Sequence, residues 1–108
     1  MMQSVRVEIG GKERTLRYGF RELRWVEEQT GFSFLTGAVG HVPVNSLSFF
    51  LVLLTAGLMR DGSPSLAEVE AMLDSLSEED FVRVEQAMRE ALDKSVLSPK
   101  KAAEGNPQ

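Results

Sequence analysis

The sequence predicts an α+β domain, mostly α, with an N-terminal β-hairpin packed on a bundle of four to five helices around a central apolar helix. Three observations predict it. Residues 47–59 carry no charged side chain. Apolar and polar residues alternate on both sides of Gly10-Gly11. Two serine-led start signals, at Ser65 and Ser77, each precede an apolar stripe at helical spacing.

The hairpin comes first. Val5, Val7 and Ile9 alternate with Arg6 and Glu8, the period-two pattern of a half-buried strand. Gly10-Gly11-Lys12 supplies the turn, and Arg14, Leu16 and Tyr18 alternate with Thr15 and Arg17 in a second strand. A two-stranded hairpin needs a surface to pack on, and the apolar helix is the expected one.

A first helix is predicted from Phe20 to Thr30, ended by Gly31. Its inward stripe is read as Phe20, Leu23 and Val26. Arg21, Glu22, Arg24, Glu27 and Glu28 mostly face water, with Arg24 and Glu28 forming an i,i+4 pair. Residues 31–43 are broken by Gly37, Gly40 and Pro43, which predicts a helical turn near 33–38 and then a mobile loop.

The central helix follows, with Asn45 or Ser46 as its N-cap and Arg60-Asp61-Gly62 as its stop. A helix apolar on nearly every side is buried on nearly every side. The run is too short for a bilayer span, which needs about 20 apolar residues. After the turn at Asp61-Gly62-Ser63-Pro64, Ser65-Leu66-Ala67-Glu68 has capping-box spacing. The helix behind it carries Leu66, Val69, Leu73 and Leu76 on one face, with Met72 beside them. Ser77 then caps a last helix whose first turn holds Glu78, Glu79 and Asp80, and whose face carries Phe81, Val84, Met88 and Leu92. Residues 1–95 are read as one domain and residues 96–108 as a disordered tail, with no apolar payload from Ser98 onward.

Composition limits the chemistry. There is no cysteine and one histidine, His41, so a thiolate or histidine-cluster metal site has no ligands. No cofactor is expected. The first residues lack the apolar segment of a signal peptide, which predicts a cytoplasmic protein. Residues 1–60 hold seven Lys/Arg against five Asp/Glu, whereas residues 61–95 hold three against ten. That acidic half repels phosphate and disfavours nucleic acid as a partner. The basic half of one copy can meet the acidic half of another, which makes a homo-oligomer one reading; solvated helix faces are the other.

No catalytic constellation emerges. His41 sits in a glycine- and proline-flanked loop without a nucleophile motif. Adjacent acids at Glu27-Glu28 and Glu78-Glu79-Asp80 point in different directions around their helices, and the second group is explained by the helix dipole. Gly10-Gly11-Lys12 lacks Walker spacing and opens no helix. The last two helices cannot read DNA as a helix-turn-helix, because the second begins with three acids. The candidates for partner binding are Trp25, Phe49 and Phe50. Trp25 lies about 200° around its helix from Leu23. It is either an exposed interface anchor or covered by the hairpin or another segment. Phe49 and Phe50, with Leu51, cannot all face one neighbour: the surrounding elements bury them, or part of the helix remains an apolar patch for a partner.

The order of these pieces resembles a known family. A Gly-Gly-Lys hairpin leads into Leu16-Arg17-Tyr18-Gly19-Phe20-Arg21-Glu22-Leu23 and Val26-Glu27-Glu28-Gln29-Thr30-Gly31. Then come an apolar helix ending Leu54-Thr55-Ala56-Gly57-Leu58, a turn, and two acidic helices. Over about residues 5–95 this resembles the small tail assembly chaperones of tailed phages, prophages and gene transfer agents. The resemblance implies a non-enzymatic role in the host cytoplasm: binding the tape measure protein and keeping it soluble while tail-tube protein assembles around it. Such chaperones are absent from the mature virion. Many also occur in a frameshifted long form whose extension contacts tail-tube protein, and Lys100-Lys101 is compatible with a slippery codon run. The alternative is a non-enzymatic structural or adaptor protein of a phage particle acting through helix-mediated contacts.

Overall fold

A computed structural model describes residues 4–35, 43 and 46–95. Its elements run β1 (Val5–Ile9), β2 (Lys12–Leu16), α1 (Phe20–Thr30), α2 (Leu47–Gly57), α3 (Leu66–Asp74) and α4 (Glu78–Asp93). The fold is α+β and mostly α, with an N-terminal antiparallel hairpin and four described helices. The second half of the helical turn expected near 33–38, the loop with His41, and residues 96–108 lie outside the described residues; within them, Phe34 and Leu35 form a turn.

Local chemistry sets most boundaries. Gly10 and Gly11 both adopt positive φ, 63° and 80°, as a tight two-residue hairpin turn demands. The register pairs Val5 with Leu16, Val7 with Arg14 and Ile9 with Lys12. Gly31 takes a left-handed conformation after α1 and donates its N–H to the Glu27 carbonyl at 2.8 Å. The other side chains of that segment finish the stop: Thr30 Oγ1 bonds back to the Val26 carbonyl, and the Glu27 carboxylate accepts the Phe34 N–H at 2.8 Å. Ser46 caps α2, Ser65 closes a full capping box with Glu68, and Ser77 accepts the Asp80 N–H at 3.1 Å.

Helix α2 is the centre of the packing, touching α1, α3, α4 and β2. Leu53, Leu54, Ala56 and Leu58 are fully buried on it or at its end. Helices α1 and α2 run antiparallel: Glu22 near the start of α1 meets Arg60 just past α2, and Phe32 just past α1 meets Phe49 near the start of α2. The hairpin departs from expectation. It lies chiefly on α4, and β2 reaches α2 as well. The buried face of α4 consists of Val84, Ala87, Met88, Ala91 and Leu92, and Ala87 lies beside Val5 and Val7 of β1.

At the α2 contact, small size decides the geometry. The Arg17 N–H donates to the Gly57 carbonyl at 3.1 Å, and the Tyr18 hydroxyl donates to the Leu53 carbonyl at 2.7 Å. Burial pushes the Tyr18 phenol well above its ordinary pKa, so it remains a donor. A Cβ on Gly57 would stand 2.9 Å from the Tyr18 hydroxyl and 3.2 Å from a Leu16 methyl. Gly57→Ala gains up to about 1 kcal/mol in helix propensity but overpacks this contact at a cost of about 1–3 kcal/mol. Net destabilisation is therefore expected in urea unfolding, and a stabilised variant would refute the contact.

Helix α1 also corrects the sequence reading twice. Phe20, expected inside, is 72% exposed, whereas Glu22, expected in water, is fully buried. Two successive three-residue steps leave Phe20 about 120° from Val26, at the margin of the face that Leu23 and Val26 bury. The buried face holds Glu22, Leu23 and Val26.

Candidate functional site

Each candidate partner-binding residue has a defined place. Phe50 is 2% exposed and stacks on Phe81 with ring centroids 4.6 Å apart. Phe49 is also buried and meets the edge of Phe32, which in turn meets Phe34. Both phenylalanines are core residues whose rings are already in contact with other aromatics, and neither presents a free face. Leu51 and Val52 are only partly covered.

Trp25 differs. It is half-buried and packs against the edge of the core. It lines an open groove of about 330 Å³ with Arg21, Arg24 and Glu28 of α1 and with Met59 and Ser63 from beyond α2. Its cover is thus the segment after α2. The antiparallel packing of α1 on α2 brings that segment alongside.

The groove belongs to a continuous outer face of α1. Phe20, Arg24 and Glu28 follow one another at four-residue spacing, and Arg21 and Trp25 form the adjoining row. Arg24 pairs with Glu28 at 3.8 Å, as the i,i+4 spacing predicts. The side chains of Arg21 and Arg24 are each 67% exposed. The face therefore offers two aromatic rings, a thioether and two accessible guanidinium groups. It can hold an apolar side chain against Trp25 and Met59 while the arginines meet carboxylates on the same ligand.

Below this face lies a contact invisible to helical patterning. The Glu22 carboxylate accepts from the Gly19 N–H at 2.9 Å, the half of a capping box that an N-cap glycine permits. Its other oxygen accepts from Arg60 Nε at 2.9 Å and from Arg21 at 3.4 Å. The Glu22–Arg60 pair ties the start of α1 to the segment just past α2, at the residue next to Met59. Its only sequence signal is the placement of an acid at the third position after a glycine cap.

The described residues contain no cluster of three or more His, Cys, Asp or Glu side chains able to hold a metal ion, and no helix among them is long and apolar enough to cross a membrane. Comparison with protein-family models, with characterised proteins and with solved structures returns no match to this chain.

Proposed function

We propose that this chain is a non-enzymatic binding domain whose α1 face docks an apolar helical segment of another protein. More particularly, we propose a tail assembly chaperone of a tailed phage or prophage. It would bind the tape measure protein in the host cytoplasm, assist tail-tube assembly and stay out of the mature virion. The family reading rests on the residue pattern from the hairpin to the two acidic helices. The observation that carries the binding reading is the Trp25 groove: a half-buried indole beside Met59, rimmed by exposed arginines, while Phe49 and Phe50 are committed to the core. An amphipathic client helix fits such a face through apolar anchors at helical spacing. Several copies along one long client would supply avidity from individually weak contacts. A long form that reaches tail-tube protein would carry its extra segment beyond the residues described.

Trp25 is the single tryptophan of the chain, so its emission reports on the groove directly. Titration with fragments of the tape measure protein from the same genome is expected to shift that emission to the blue as the indole leaves water. Trp25→Ala is expected to weaken client binding about thirtyfold, the loss of one hot-spot anchor worth about 2 kcal/mol. Because Trp25 is only half-buried, the same variant should lose no more than about 1–2 kcal/mol of stability. Unchanged emission with every client fragment, together with no co-purification, would remove the chaperone reading.

A further inference from the structure

We propose that two copies of this chain pair through their β1 edges about a two-fold axis beside Val7, joining two hairpins into a four-stranded antiparallel sheet. The inference starts from an asymmetry between the two edges of the hairpin. The outer edge of β2 is occupied: the Thr15 N–H donates to Asp61 Oδ2 at 2.7 Å and the Arg17 N–H to the Gly57 carbonyl. Those two bonds also fix the phase of the ladder. Thr15 and Arg17 point away from β1, so Arg14 and Leu16 are the residues bonded to Val7 and Val5. Arg6 and Glu8, opposite Thr15 and Glu13, therefore direct their N–H and C=O groups to the outer edge of β1. Among the described residues no hydrogen bond reaches those groups. An unpaired strand edge is a template for another strand.

Charge selects the strand that fits. In an antiparallel pairing centred on Val7, Arg6 of each copy lies opposite Glu8 of the other. Val7 faces Val7, and Val5 faces Ile9. The phase agrees, because Arg6 and Glu8 are the residues whose backbone groups point outward. Neither side chain has an ion-pair partner among the described residues, and within the hairpin Glu8 stands opposite Glu13, a like-charge pair. The wall beside this edge repeats the pattern. An open groove of about 320 Å³ runs along the seam between β1 and α4, where Arg83 and Glu90 flank Gln86 and Ala87. Each already holds an exposed intrachain partner, Asp80 and Lys94. A two-fold axis through the groove would set Arg83 of one copy against Glu90 of the other. Strand and helix are thus both self-complementary about one axis, as an isologous interface requires.

Five-residue strands bury little area, so the dimer is weak and salt-sensitive. Sedimentation velocity of the full chain at low salt is expected to show a concentration-dependent monomer–dimer equilibrium. Arg6→Glu or Glu8→Arg alone should raise the dissociation constant about tenfold or more, by setting like charges opposite each other twice. The double swap, Arg6→Glu with Glu8→Arg, should restore it, because the reversed pattern is still complementary. Glu8→Pro removes an N–H that the hairpin does not use and should also give a monomer, with circular dichroism confirming the fold. A chain monomeric at every concentration overturns the proposal. So does a dimer indifferent to the single reversals and to Glu8→Pro, or one that the double swap fails to restore.

Discussion

Arg60→Met is expected to destabilise the domain by about 2–4 kcal/mol, because it leaves the fully buried Glu22 carboxylate without its main counter-charge. The upper end of the range for broken buried pairs is discounted, since the Arg60 side chain is 42% exposed and its attraction is partly screened. What remains for the carboxylate is the Gly19 N–H and the more distant Arg21. The reciprocal Glu22→Gln keeps an oxygen for the Gly19 N–H and removes the charge. It should therefore cost much less in the Arg60→Met background than in the parent chain. Urea unfolding of the four proteins forms a double-mutant cycle. A coupling indistinguishable from zero would mean that Glu22 and Arg60 are independent, and the tie between α1 and α2 would have to come from apolar contact alone.

Phe50→Ala is the second large expected effect, a loss of about 3–5 kcal/mol. The ring is 2% exposed and stacks on Phe81, so truncation leaves a cavity at the α2–α4 contact and strands a second ring. A single domain is stable by only about 5–15 kcal/mol, so the variant should melt far below the parent or fail to fold at ambient temperature. Phe50→Leu retains most of the apolar volume and should fold, with client binding unchanged. Trp25→Ala shows the opposite pattern, a small loss of stability and a large loss of binding. If Phe50→Leu folds normally yet no longer binds client, the α2 surface is the docking site and the α1 face is not.

These contrasts show what the residue pattern could and could not convey. Boundaries governed by short-range chemistry were readable: the Gly10-Gly11 turn, the Gly31 stop, and the serine caps at Ser65 and Ser77 need only their near neighbours, while for α2 the structure selects Ser46 over the alternative Asn45. The central position of α2 was readable because a helix without a polar face has no other place to go. Three features depended on distant partners. Glu22 looks like a surface acid until Arg60, 38 residues away, is brought beside it. The hairpin had two apolar helix faces to choose from, and it lies chiefly on the buried face of α4, 60 or more residues further along the chain. Phe20 follows from neither, since a hydrophobic residue at the first position of a helix can face either way and a three-residue spacing hides its drift. For the site, the separation of Trp25 from the inner face was visible on a helical wheel. That Met59 and Ser63 would cover its far side required the antiparallel packing of α1 on α2.

The placement of β1 against α4 has a consequence for the order in which the chain is made. The ribosome delivers Val5, Val7 and Ile9 ahead of all four described helices, and the helix that covers them is the last described element. At about 5–20 residues per second, the hairpin waits several seconds with its apolar side uncovered. During that interval the nascent chain is open to chaperones and to premature strand pairing. Its completion is timed by release of α4 from the exit tunnel rather than by the folding of the hairpin itself.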